Sequence, residues 1–239
     1  MGDHARGGQG ARSRTLIEGA VNTMANPAKA ALNQLLQKLG YEQLGVFVGY
    51  LRASGWWKSV GSKRPIDASG APLPWYSYPF IRFVEQRLRT RRPASLRVFE
   101  FGSGNSTLWW AKRADQVVAV EDNRHWHDYV QKNLPANVTY RLAETEAQYI
   151  ASLRDGEARF EIIVVDGSFR ERCLDTAPAN LTEDGVLVVD NSDWDSLAEP
   201  LARLERQGFR RLEFYGLGPM NGHPWGTSVL YRDSNVLGI

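Results

Sequence analysis

The sequence predicts an α/β protein: an open, mostly parallel sheet of about seven strands with helices on both faces, ending in an antiparallel strand pair and preceded by a helical and loop subdomain. Three observations carry this. From Leu96 onward, short apolar runs alternate with helical segments, the pattern of a sheet wound on both sides. Several runs are apolar without alternation, as strands covered on both faces should be. The last two runs are linked by a Gly- and Pro-containing loop too short for a crossover helix, so they pair antiparallel.

Taken in order, Met1 to Arg14 reads as a flexible tail, with arginines but no apolar h-region of a secretory signal. Leu32, Leu35, Leu36 and Leu39, then Leu44, Phe47, Val48 and Leu51, recur at helical spacing on either side of Gly40, predicting two short helices over 27–53. Residues 54–78 are rich in Gly, Pro, Ser and aromatics, which is loop chemistry. A helix resumes over 79–90, with Phe80, Phe83, Val84 and Leu88 on one side. Strands are expected over 96–101, 116–121, 138–142, 160–166 and 185–190, and helices over 107–113, 125–133, 147–153, 171–180 and 196–207. The closing strands lie around 211–215 and 228–232. The expected organisation is a tail over 1–14, a helical and aromatic-loop subdomain over 15–92, and a ligand-binding domain over 93–239.

Composition narrows the function classes. A net charge of +2 is too small to point to a nucleic-acid or membrane partner. No run approaches the roughly 18 apolar residues of a spanning helix. Cys173 is the only cysteine, so there is no internal disulfide and no cysteine metal cluster. That suits a reducing compartment, and a cytoplasmic location is the expectation.

The most informative stretch is VFEFGSGNST, residues 98–107. A strand ends at Phe101 and turns through Gly102 and Gly104 into a helix, where side chains would keep the backbone from a ligand. Glu121, at the tip of the second strand, stands about 20 residues on, the distance at which a carboxylate meets ribose hydroxyls. A dinucleotide fingerprint places a third glycine where this chain has Thr107, and Glu100 precedes the turn. Its carboxylate either orders the loop or meets a cationic ligand. That fits S-adenosylmethionine (SAM), with its sulfonium and amino group, better than NAD.

FEFGSGNST, VVAVE, FEIIVVDG and GVLVVDN, in that order, resemble the consecutive motifs of class I, Rossmann-like SAM-dependent methyltransferases, over about residues 96–232. The segments GAPLPWYSYPFIRF and GLGPMNGHPWGTSVLY are similar to a bacterial branch of that superfamily. The resemblance implies that Gly102, Ser103, Gly104, Asn105 and Ser106 wrap the methionine portion of SAM. It implies that Glu121 holds the ribose and that Ala143 and Glu144 flank the adenine, with Glu146 close enough to replace Glu144. The domain over 93–239 is then the SAM-binding methyltransferase domain.

Asp166 ends the fourth strand, and Asp190 and Asn191 end the fifth, at the sheet edge where ligands of open α/β folds sit. These three are the catalytic candidates. Their oxygens would suit Mg²⁺, and the set resembles the metal-binding residues of catechol-type O-methyltransferases. There the ion gathers the acceptor oxygens and favours their deprotonation. The chain departs from that pattern in lacking a lysine three residues after the first Asp. Phe169 stands there, followed by Arg170, which stays protonated. A direct hydrogen-bonding or general-base role for Asp166, in contact with the cofactor site, is the alternative.

His125 and His127 read as exposed helix residues, and His223 as a polar loop residue within reach of the strand tips. Trp56, Trp57, Trp75, Tyr76 and Tyr78 form either core or an acceptor-pocket wall. At least one of Trp109 and Trp110 belongs to the core, and Arg87, Arg89, Arg91 and Arg92 to a solvated helix face. The expected function is transfer of a methyl group from SAM to a small-molecule acceptor, on oxygen, with Mg²⁺ as a candidate aid. An RNA or protein methyltransferase, a nicotinamide oxidoreductase and an inactive SAM-binding protein are the competing readings.

Overall fold

Successive side chains of a strand point to opposite faces, and in the central strands both sets are apolar. In the computed structural model, which describes residues 27–91, 93–154 and 159–239, these two sets become two cores. The expected tail over 1–14 and Arg92 lie outside the described residues.

The strands are β1 (Arg97–Phe101), β2 (Gln116–Glu121), β3 (Val138–Leu142), β4 (Phe160–Val165), β5 (Leu181–Asp190), β6 (Arg210–Gly216) and β7 (Trp225–Tyr231). They form one seven-stranded sheet in the order β3-β2-β1-β4-β5-β7-β6. The first five neighbours pair in parallel, while β7 lies antiparallel to both β5 and β6. The order runs outward from β1 in both directions, so the β1 and β4 tips flank the topological switch point, where open α/β sheets open a crevice for ligands.

The helices are α1 (Pro27–Lys38), α2 (Glu42–Ala53), α3 (Trp56–Ser62), α4 (Tyr78–Thr90), α5 (Asn105–Ala111), α6 (Arg124–Val130), α7 (Glu146–Ala151), α8 (Arg170–Thr176) and α9 (Ala198–Arg206). Val98, Val117, Ile162, Val164 and Val188 join Phe80, Val84, Trp109 and Trp110 of α4 and α5 in one core. Phe99, Phe101, Val118, Ile163 and Val189 join Tyr149, Leu174, Leu201 and Leu204 of α7, α8 and α9 in the other. This is the wound, mostly parallel sheet with its antiparallel end.

The chain divides between Tyr50 and Leu51 into two compact units. Residues 51–91, read from sequence with the N-terminal subdomain, group instead with the unit that holds the sheet. The physical reason is burial: Leu73, Tyr76, Tyr78, Phe80 and Ile81 complete the α4/α5 core rather than a core of their own. In the first unit, Leu32 and Leu35 of α1, Leu39 in the turn that follows it, and Leu44, Phe47 and Val48 of α2 stay exposed. The loop-rich composition of 54–78 also hides α3, whose start is set by Gly55 in a left-handed conformation, φ 84°.

Candidate functional site

The turn after β1 is built from glycine conformations and a buried carboxyl. Gly102 has φ 102°, and a Cβ there would come within 3.0 Å of the Gly167 backbone nitrogen. This glycine is therefore required by the close approach of the chain leaving β4, not by a ligand above it. Gly104, with φ 148°, presents its bare side to the Trp126 indole. Behind the turn, Glu100 is fully buried. The Thr107 hydroxyl donates to its Oε2 at 2.5 Å and accepts from the Gly104 amide at 3.0 Å. The Tyr76 hydroxyl lies 3.5 Å from Oε1 and accepts from Trp110 Nε1 at 3.3 Å. Burial pushes the Glu100 carboxyl up to about 7, against the pull of the Ser106, Thr107 and Tyr76 hydroxyls. Thr107, in the third-glycine position, thus ties the loop to the first strand.

Glu121 ends β2 with its side chain mostly buried. Its Oε2 accepts from the Ser103 hydroxyl at 2.6 Å and its Oε1 from the Asn123 amide at 3.1 Å. Burial raises its pKa, and the Ser103 hydroxyl opposes the rise. Ser103 Oγ also lies 2.7 Å from the Tyr140 hydroxyl, which His127 stacks against with ring centroids 4.4 Å apart. Trp126 covers the turn, donating from Nε1 to the Ser103 carbonyl at 3.0 Å.

Above the strand tips opens a cavity of about 460 Å³, within the range of small-ligand sites. Its floor is Ser103, Gly104, Asn105 and Ser106; one side is Asp166, Asp190 and Asn191. The far walls come from Lys63, Arg64, Pro65 and Trp75, from Trp126 and Tyr129, and from Met220, Asn221 and Trp225. Asn105 Nδ2 donates to the Pro65 carbonyl at 2.6 Å, joining the glycine turn to the aromatic loop. Of that loop's aromatics, Tyr76 and Tyr78 are core, whereas Trp75 lines the cavity. Trp109 and Trp110 are both buried.

At the tips of β4 and β5 the carboxyl groups of Asp166 and Asp190 are neighbours. Asp190 is almost fully buried, and its Oδ1 accepts from the Thr227 hydroxyl at 2.6 Å and Trp225 Nε1 at 3.1 Å. Burial raises both carboxyls, Asp190 to about 6; for Asp166 the charge of Asp190 adds to the rise and Arg170 opposes it. Arg170 donates to Asn191 Oδ1 at 2.8 Å and to the Asp166 carbonyl at 2.9 Å, and pairs with Asp166 Oδ1 at 3.3 Å. Asn191 reaches it from a left-handed turn, φ 52°.

The residues present do not fit a divalent ion. Asp166 Oδ1 and Asn191 Oδ1 already serve a guanidinium, and Asp190 Oδ1 is turned to Thr227 and Trp225. Among the described residues, no group of three or more His, Cys, Asp and Glu side chains is arranged to hold a metal.

Of the residues expected from sequence, Ser103, Gly104, Asn105, Ser106, Asp166, Asp190 and Asn191 are brought together on the cavity wall. Glu100, Gly102 and Glu121 stand one layer behind, acting on the turn and on Ser103. Glu144 is drawn away: Arg124 holds it through bonds of 2.5 and 3.0 Å on the exposed surface, and Glu146 pairs with Arg172. His223 is exposed and outside the lining. Sequence reasoning missed Lys63, Arg64, Trp126 and Tyr140. It weighed Arg170 only as a base. The one signal for these was the SKRP turn, basic residues before a proline inside an otherwise aromatic loop.

No protein-family model matches the chain, and no curated protein sequence matches it. Solved structures do. The O-methyltransferase TomG from Streptomyces achromogenes, determined with SAM, aligns at 17% identity over 63% of this chain and 79% of its own, TM-score 0.50. A Klebsiella pneumoniae protein described as a candidate O-methyltransferase aligns at 18% identity over 68% and 84%, TM-score 0.52. An rRNA methylase from Streptococcus thermophilus aligns at 13% identity over 65% and 97%, TM-score 0.50. Likenesses at this identity establish the fold, and it is the class I, Rossmann-like methyltransferase fold. Among the described residues, no helix is long and apolar enough to cross a membrane.

Proposed function

We propose that the chain is a SAM-dependent methyltransferase acting on a small-molecule acceptor, with oxygen as the methylated atom. The observation that carries this reading is the cavity itself. It opens beyond the β1 and β4 tips, is floored by the Ser103–Ser106 turn and is walled by two carboxyl groups. SAM, when bound, supplies an electrophilic methyl group on a sulfonium. The donor set suits it: Ser103, Asn105 and Ser106 offer hydroxyl and amide partners, and Lys63 and Arg64 offer charge for a carboxylate. Asp166 offers negative charge for cationic groups. Glu121, whose Oε2 accepts from the Ser103 hydroxyl directly behind the floor, would be the carboxylate nearest to hold the ribose hydroxyls.

Trp75, Trp225 and Met220 give the acceptor an apolar wall in a cavity of small-ligand size, which favours a small molecule over a macromolecule. Asp166 takes the acceptor's hydroxyl proton. Its raised pKa makes it a stronger base than an exposed carboxylate, and Arg170 holds its Oδ1 in place.

The test is a screen for methyl uptake from labelled SAM, with phenols, sugars and hydroxy-carboxylates in one arm and ribosomal RNA and a protein extract in another. Uptake into a small hydroxyl compound, lost in Asp166→Asn, is the expected result. Uptake into RNA or protein alone would overturn the acceptor class. SAM binding without uptake in any arm would overturn the enzymatic reading.

A further inference from the structure

A guanidinium carries five N–H donors in a fixed planar fork and remains charged at every physiological pH. Arg170 has all five of its donors placed at the tips of β4 and β5. Nε donates to the Gly167 carbonyl at 3.0 Å; Nη2 donates to the Asp166 carbonyl at 2.9 Å and to Asp166 Oδ1 at 3.3 Å; Nη1 donates to Asn191 Oδ1 at 2.8 Å and to the Asp190 carbonyl. The side chain is 11% exposed, and the Trp194 ring covers the guanidinium carbon at 4.6 Å. The group is neither a surface cation nor a hand free to bind substrate. It is a built-in part of the site.

Its partners are telling. Asp166 Oδ1 and Asn191 Oδ1 are two of the oxygens that a divalent ion at these strand tips would need, and the Asp190 carbonyl belongs to the third residue. Mg²⁺ demands octahedral oxygen ligands at about 2.0–2.1 Å, and a guanidinium already fills the space between them. We propose that Arg170 is the resident cation of this site. It takes the place between Asp166, Asp190 and Asn191 that a metal would occupy, sets one positive charge against the Asp166 carboxylate and ties the β4 and β5 tips together. The consequence for the acceptor is specific: with no ion to chelate, the site takes a single hydroxyl and has no requirement for vicinal oxygens. The placement of Arg170 follows from the strand-tip geometry and stands whether or not SAM is the cofactor, whereas the consequence for the acceptor rests on the methyltransferase reading.

The experiment is a Mn²⁺ titration of the full chain followed by electron paramagnetic resonance, which reads free ion directly and requires no acceptor. Wild type and Arg170→Lys, which keeps a cation in place, are expected to leave millimolar Mn²⁺ free. Arg170→Ala opens three oxygen ligands and is expected to bind Mn²⁺ at least tenfold more tightly than wild type, a gain abolished in Arg170→Ala/Asp166→Asn. Wild-type binding that is displaced by Mg²⁺ and lost in Asp166→Asn would overturn the proposal. So would a folded Arg170→Ala with no gain. Should that variant fail to fold, wild type and Arg170→Lys still decide, because Mn²⁺ bound by either through Asp166 refutes a filled site. SAM affinity, measured separately, reports on the methyltransferase reading and leaves this result untouched.

Discussion

Replacing Glu100 by glutamine converts a fully buried acid, pushed up to about 7 from an ordinary value of 4.5, into its permanently neutral isostere. A carboxyl whose folded pKa is raised binds its proton more tightly in the folded than in the unfolded chain. Its contribution to stability is therefore full below about 4.5, falls as pH rises through about 7, and is flat beyond. At about 1.4 kcal/mol per pH unit of difference, the loss across that window is about 3 kcal/mol. Asp166, Asp190 and Glu121, also raised, add to the same slope in wild type, and because the Glu100 charge itself helps to raise Asp166, the difference between wild type and Glu100→Gln reports Glu100 together with its coupling to that neighbour. Urea unfolding at pH 5 and pH 8 is the assay. Wild type should lose about 3 kcal/mol more than the variant between the two. Parallel pH dependence would show that Glu100 is not held in a dry network with Tyr76 and Thr107, and would remove the physical basis for the ordered glycine turn.

Three other outcomes follow from the site. Gly102→Ala places a Cβ 3.0 Å from the Gly167 nitrogen at φ 102°. It should cost about 1–3 kcal/mol, whereas Gly208→Ala, at φ 93° with nothing within 4 Å, carries the backbone strain alone and should cost less by thermal unfolding. Asp190→Ala leaves the Thr227 hydroxyl and the Trp225 N–H buried without their acceptor and should cost about 2–4 kcal/mol by urea unfolding. Asp190→Asn, which keeps an acceptor oxygen, should recover more than half of that loss. Methyl transfer should fall with decreasing pH as Asp166 protonates, with a midpoint above the ordinary 3.8 of an aspartate because burial and the neighbouring Asp190 raise it. A flat profile down to pH 5 would remove Asp166 as the base.

The sheet was legible because its strands obey simple rules. β2 and β3 fall where the apolar runs lie, Gln116–Glu121 and Val138–Leu142. The glycine turn and the acidic and amide tips at Glu121, Asp166, Asp190 and Asn191 were legible because each follows a strand directly. β5 begins at Leu181 rather than at 185 because Thr182, Glu183 and Asp184, polar and partly exposed, break the apolar run without breaking the strand. α3 was hidden by glycine and serine composition. The role of Arg170 was out of reach for a deeper reason: its five acceptors come from the end of β5 and the turns after β4 and β5, brought together only by the parallel β4/β5 pairing. The same holds for Glu144, whose fate depends on Arg124, twenty residues away in sequence.

The central claim is that the Ser103–Ser106 cavity, backed by Glu121, receives SAM. Isothermal titration of the purified chain with SAM, its demethylated product and NAD tests it without knowledge of the acceptor. Saturable binding of the first two is expected, no heat from NAD, and at least a tenfold loss of SAM affinity in Glu121→Ala, about 1.4 kcal/mol. Tight NAD binding with no response to SAM would contradict it.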